Sequence, residues 1–253
     1  MSFWNTFRNV LNRNVDPTER ERLERAQQII GYYFRNPQGL LLALTHRSYA
    51  RFANNDLPSN ERLEFLGDSV LGLVISHQLF ADHPEESEGD LTKTKAMLVN
   101  ETTLASVGKD LGLNLQIRLS IDEDRAGGRD RASIISDSFE AVIGAVYLDG
   151  GIDAARDVVL RLIYTQRDRI LADSSQRNYK GDLLELMQSK GEGVPRYDVV
   201  LEDGPDHDKT FHVVVTISGN KVAEGVGSSK KEAEQRAASK ALEVLESTTS
   251  DGK

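Results

Sequence analysis

Apolar residues recur at three- and four-residue intervals through the first two thirds of the chain, then switch to alternate positions. The first spacing predicts helices and the second predicts strands. "DPTERERLERAQQIIGYYF" has Asp16 as an N-cap, Pro17 at the first helical position and acids in the first turn. "NPQGLLLALTHRSY", "NERLEFLGDSVLGLVISHQLF", "TKTKAMLVNETTLASVGKDLG", "ASIISDSFEAVIGAVYLDGG" and "IDAARDVVLRLIYTQRDRIL" continue the helical pattern across breaker-rich loops such as "HPEESEGD" and "DEDRAGGRD". After the turn-rich "ADSSQRNYKGD", a helix in "GDLLELMQSKG" precedes two alternating runs. Tyr197, Val199 and Leu201 alternate in "RYDVVLED", and Phe211, Val213, Val215 and Ile217 alternate in "TFHVVVTIS". "KVAEGVG" reads as a shorter third strand. A last helix carries Ala233, Ala237, Ala241 and Leu245 on one stripe, small enough to sit close on a sheet.

The pattern predicts a multi-domain protein. An all-α domain over 16–172 is followed by a linker at 173–178 and a small α+β domain of order α-β-β-β-α over 179–246. Residues 1–15 form an N-terminal extension and 247–253 a disordered tail. The extension places Phe3, Phe7, Val10 and Leu11 at helical spacing, and reads as a short amphipathic helix rather than an organelle presequence.

Composition narrows the chemistry. There is no cysteine among the 253 residues, so any metal must sit on oxygen or imidazole. No apolar run approaches the roughly 18 residues of a membrane span, and the start lacks the apolar region of a secretory signal. A cytoplasmic protein with no membrane partner is expected. The net charge of −9 opposes a nucleic-acid partner unless basic residues are gathered locally.

At about 100° per residue, Glu61, Glu64 and Asp68 share one narrow sector of their helix, with Leu63, Leu66, Val70, Leu73 and Val74 roughly opposite. Asp137 and Glu140 repeat the design three residues apart, with Phe139, Val142, Ile143 and Val146 on the other side. Acids opposite an apolar stripe are ordinarily a solvated face. Two features point elsewhere. Gly67 stands in mid-helix beside Asp68, at a cost of about 1 kcal/mol relative to Ala, and neither row has Lys or Arg at i+4 to offset like-charge repulsion. A divalent cation would supply that offset, since Mg²⁺ takes hard oxygen ligands and paired metals stabilise phosphodiester displacement. The spacing alone leaves both a nuclease and a helical nucleotide pyrophosphohydrolase open.

The full strings are more specific. "NERLEFLGDSVL" is similar, residue for residue, to the signature of the ribonuclease III family, and "ALTHRSY", "EGDLTKTKAMLVN" and "SDSFEAVIGAVYLDGG" resemble that family's other blocks in the same order. "PRYDVV", "DGPDHDKTF" and "GVGSSKKEAEQRAASKAL" resemble a double-stranded RNA-binding domain; together the resemblance spans about residues 20–246. It implies an all-α endonuclease domain in which Glu64, Asp68, Asp137 and Glu140 hold Mg²⁺, with Mn²⁺ able to substitute and with Asp68 and Glu140 catalytic. It implies hydrolysis to 5′-phosphate and 3′-hydroxyl ends, acting on precursors of ribosomal, messenger and transfer RNA. Glu61 is implied at a dimer contact. One endonuclease domain per chain implies a homodimer that cuts opposite strands and leaves short 3′ overhangs. A non-catalytic double-stranded RNA-binding protein of the same fold is the alternative, and it predicts loss of at least one of the four carboxylates, all of which are present.

Duplex RNA is recognised by shape, 2′-hydroxyls and phosphates. Lys230 and Lys231 lie at the start of the last helix, where the macrodipole disfavours cations and a phosphate would reverse the penalty. His207 in the "GPDHDKT" loop, and Glu185 and Gln188 on the first helix of the second domain, are the other expected contacts. Leu184 stands where the family often has glutamine, and Asp206 and Asp208 make the loop acidic, which lowers the expected affinity. His46 reads as a packed histidine, Glu88 and Asp90 as part of a helix cap, and Lys93 and Lys95 as either solvated or phosphate-facing.

Overall fold

The computed structural model describes residues 17–52, 57–172, 178–205 and 209–250. The expectations for the N-terminal extension, the Asp16 cap, linker residues 173–177, and His207 with Asp206 and Asp208 fall outside them. The chain divides after Gln176 into two compact units.

Helices make up the first unit: α1 (Pro17–Ile30), α2 (Gln38–Ala43), α3 (Arg47–Phe52), α4 (Glu61–Asp82), α5 (Glu88–Val99), α6 (Glu101–Asp110), α7 (Ile121–Arg125), α8 (Ala132–Leu162) and α9 (Arg167–Ala172). α8 runs through the core, burying Phe139, Val142, Ile143 and Val146, and packs on α2, α4 and α6. It breaks at Gly151, whose φ of 81° suits glycine and few other residues, so it is the two helices the sequence predicts, joined at a bend. A second interruption at Ile163 ends α8 before α9, where the spacing predicts one continuous helix. The intervening turn lets the Tyr164 hydroxyl donate to the Asp82 carboxylate at 2.8 Å.

The apolar side of α4 differs from its expected position. Leu73 is 60% exposed, whereas Leu71, Ile75 and Leu79 are fully buried beside Leu63, Val70 and Val74. α4 packs on both α8 and α5, and Leu71, Ile75 and Leu79 belong to the main core of the unit.

The second unit comprises α10 (Tyr179–Ser189), β1 (Arg196–Asp203), β2 (Thr210–Ile217), β3 (Asn220–Gly227) and α11 (Lys230–Ser250), with an antiparallel sheet in the order β1-β2-β3. Leu183, Met187, Val213, Val215 and Ile217 pack on Ala233, Ala237, Ala238 and Ala241, as the small-residue stripe predicts. β3 is no shorter than its neighbours. Ser218 and Gly219 both take positive φ, the two-residue turn that carries pairing down to Ile217 and Asn220. β1 departs from simple alternation, since Val199 and Leu201 are exposed by 38% and 52%. Val199 pairs with Val213 but Leu201 pairs with His212, so Val200 is an extra, bulged residue, and beyond it the side chains exchange faces. α11 extends to Ser250, inside the expected tail, because propagating a formed helix costs little.

Candidate active site

α4 and α8 approach backbone to backbone. A Cβ on Gly67 would collide with the carbonyl oxygen of Glu140, and one on Gly144 with the carbonyl oxygen of Leu63. The glycine that looks costly within its own helix is therefore a condition of the helix pair. Asp68 follows Gly67 directly and Glu140 sits one turn before Gly144, so this contact sets the two acidic rows against each other. Asn60 helps align them: it offers α4 no side-chain cap, is 2% exposed, and donates its amide to the Ser138 hydroxyl at 3.4 Å.

The electrostatics record the crowding. Burial, then the neighbouring Asp68, Glu64 and Asp137 charges, push the Glu140 carboxyl up to about 8. Glu64 is raised by burial and then by Asp137 and Glu61. Asp137 is raised by burial and then by Glu101, against the lowering effect of a Ser136 hydrogen bond and of Arg47. Arg47 also lowers Glu64 and lies 4.0 Å from the Glu61 carboxylate. The sequence reading missed Arg47, Glu101, Asn60 and Gly144. "ALTHRSY" contained Arg47, but only tertiary packing turns it toward the acids.

Among the described residues no group of three carboxylate or imidazole side chains is gathered closely enough to hold an ion. The acids are electrostatic neighbours and do not form a closed ligand cage. Their chemistry nonetheless suits a divalent cation, because the donors are all hard carboxylate oxygens and a cation relieves the repulsion that lifts Glu140.

Other residues of interest fall around this centre. Glu61 is exposed and accepts from the Ser59 hydroxyl at 2.6 Å. His46 is buried, with Nδ1 2.9 Å from the Ser48 hydroxyl, and burial lowers its pKa. Ser87 caps α5, accepting from the Asp90 N–H and donating to the Asp90 carboxylate. Lys93 is exposed, whereas Lys95 is half-buried with its ammonium over Gly72, one turn beyond Asp68.

In the second unit, α10 buries Leu183 and Met187 and exposes Glu185 and Gln188. Ser229 caps α11 by accepting from the Glu232 N–H, while the Glu232 carboxylate accepts from the Ser228 N–H. Lys230 and Lys231 are exposed on the first turn. The Lys230 ammonium is 2.8 Å from the Glu202 carboxylate and 5.6 Å from the centre of the Phe211 ring.

A helical unit with two facing carboxylate rows, followed by an α-β-β-β-α module, is the architecture that the sequence resemblance leads us to expect. Residues 36–167 match the ribonuclease-III-like family model and residues 179–245 the double-stranded RNA binding motif. Ribonuclease 3 of Thermobifida fusca is 48% identical over 217 residues, covering 86% of this chain and 90% of that protein. Ribonuclease 3 of Streptomyces coelicolor is 52% identical over 206 residues, covering 80% and 72%. Among solved structures, the nuclease domain of ribonuclease III from Campylobacter jejuni, described for flexibility in a region involved in its dimer formation, superposes with a TM-score of 0.53 at 41% identity, covering 56% of this chain and 96% of that one. The chain belongs to the ribonuclease III family, whose members are metal-dependent nucleases. Among the described residues no helix is long and apolar enough to cross a membrane.

Proposed function

We propose that this chain is a Mg²⁺-dependent endoribonuclease that cuts double-stranded RNA, with Glu64, Asp68, Asp137 and Glu140 as cation ligands and Asp68 and Glu140 nearest the bond that breaks. The observation that carries this reading is the convergence of two carboxylate rows across the Gly67 and Gly144 contact, in a chain that also has a duplex-RNA-binding module. When bound, Mg²⁺ supplies an activated water and neutralises charge on the phosphate; Mn²⁺ takes the same hard-oxygen ligands. Hydrolysis would break the bond from phosphorus to the 3′-oxygen, with the hydroxyl of a water added to phosphorus and its proton passed to the leaving 3′-oxygen, and would give 5′-phosphate and 3′-hydroxyl ends. Burial and the neighbouring carboxylates push the Glu140 carboxyl up to about 8, so a cation held there would compete with a proton and would be held better as pH rises. Residues 16–172 cut and 179–246 hold the duplex, with Glu185, Gln188, His207, Lys230 and Lys231 as its contacts. Structured precursors of ribosomal, messenger and transfer RNA in the cytoplasm are the proposed substrates.

The test is incubation of the full-length chain with a long RNA duplex in Mg²⁺, beside an EDTA control, single-stranded RNA and nucleoside triphosphates. Cleavage confined to duplex and to Mg²⁺, leaving 5′-phosphates, is the expected result. Tight binding without cleavage would favour the non-catalytic reading, and triphosphate hydrolysis would favour a pyrophosphohydrolase.

The proposed working form is a homodimer. α4 exposes Phe65, Leu73 and Phe80 by 77%, 60% and 74%, and Leu73 also lines a small cavity with Val74, His77, Ile152 and Arg156. A monomer rarely leaves an apolar stripe of this kind open to water. Glu61 lies at its N-terminal end, where the dimer contact is expected. Leu73→Glu should shift sedimentation velocity from dimer to monomer at micromolar concentration; a variant that still sediments as a dimer would place the interface elsewhere.

A further inference from the structure

We infer that Glu202 is a built-in competitor for the RNA phosphate at Lys230, aimed there by the β-bulge at Val200. The inference rests on the proposed role of Lys230 as a phosphate contact and adds what limits that contact in this chain.

The argument begins with strand register. Val199 pairs with Val213, which is fully buried against the helices. Were β1 regular from there on, Val200 would face His212, Leu201 would face Phe211 on the helix side, and Glu202 would face Thr210 on the outer side. The extra residue reverses this. Leu201 instead pairs with His212 and is half-exposed, while Glu202 pairs with Phe211, whose ring packs toward the helices. One inserted residue thus carries a carboxylate from the outer face to the face that bears α11.

Glu202 and Phe211, cross-strand partners, together form the seat of Lys230. The carboxylate is 2.8 Å from the ammonium and the ring centre 5.6 Å away. Lys230 is the first residue of α11, so its charge already sits against the helix dipole, and Glu202 relieves that strain in the free protein. An incoming phosphate must displace Glu202 from Lys230 or approach both charges together. In either case the gain expected from one lysine is reduced. Lys231 is exposed beside it with no ion pair among the described residues, so the two lysines of the pair are not equivalent.

Affinity of the full-length chain for a labelled RNA duplex of about 20 base pairs, longer than the span of the module, separates the possibilities when measured in EDTA across a salt series. Glu202→Gln is expected to tighten binding about threefold to fivefold at low salt, the worth of an exposed ion pair, with the gain shrinking as salt rises. Lys230→Gln is expected to weaken binding, and in that background Glu202→Gln should have little effect. Equal or weaker binding by Glu202→Gln would overturn the inference and make Glu202 an organiser of Lys230. A gain that persists without Lys230 would overturn it as well, since Glu202 would then act by general repulsion. Should Lys230→Gln leave binding unchanged, the phosphate role of Lys230 fails first and the inference falls with it. If Lys230→Gln weakens binding and Glu202→Gln does not tighten it, the inference alone fails.

Discussion

Gly67→Ala is expected to destabilise the protein by about 2 kcal/mol or more, although helix propensity alone favours alanine by about 1 kcal/mol. The opposite signs make the experiment diagnostic. The added methyl has no free volume, because the nearest neighbour is the Glu140 carbonyl, and backbone yields far less readily than the end of a side chain. α4 and α8 must separate, carrying Glu64 and Asp68 away from Asp137 and Glu140. Urea unfolding in EDTA gives the stability, and cleavage at a temperature where the variant remains folded gives the site effect. Both should fall, and Gly144→Ala should behave likewise because its Cβ would strike the Leu63 carbonyl. A more stable Gly67→Ala protein with normal cleavage would mean that the helices have room to spare and that this contact does not set the acidic rows.

Glu140→Gln should reduce cleavage of an RNA duplex by on the order of 10³-fold in Mg²⁺ while duplex binding in EDTA persists. The same substitution should stabilise the metal-free chain. A carboxyl that holds its proton up to about 8 when folded, against 4.5 in the unfolded chain, costs nothing below the unfolded value and becomes a growing burden as pH rises toward 8. Glutamine carries no charge at any pH in this window. The variant's advantage is therefore near zero at pH 4 and reaches about 1–2 kcal/mol at pH 8, less than the full shift implies because the carboxyl is only partly buried. Thermal melts in EDTA across that range test the sign, and added Mg²⁺ should raise the melting temperature of the natural chain more than that of the variant. Full cleavage by Glu140→Gln would remove Glu140 from the proposed site.

Much of this was legible in the sequence. The change of hydrophobic period near residue 172, Gly67 among acids and the alanine stripe of α11 each state a physical requirement within a single element. Requirements set between elements were harder to see. Ile75 and Leu79 fall in the same angular sector of α4 as the acids, yet are buried in the main core, and Leu73 is left in solvent. Gly144 and Asn60 looked unremarkable because their reason lies in the other helix. The bulge at Val200 escaped notice because "YDVVLED" alternates plausibly in a straight register, and only pairing with β2 reveals the extra residue. Arg47 and Glu101 modulate the acids through space, and no spacing rule links them to residues 64 and 137.

α4 carries the acids Glu61, Glu64 and Asp68 along one flank and the open residues Phe65, Leu73 and Phe80 along another. The two flanks belong to one helix, so whatever covers the apolar flank borders the acids as well. In the proposed dimer, the amount of protein in the cell thereby becomes a control on cutting. Dilution to monomer would bare the apolar flank of the helix that also carries three of the acids, so specific activity should fall as the chain is diluted.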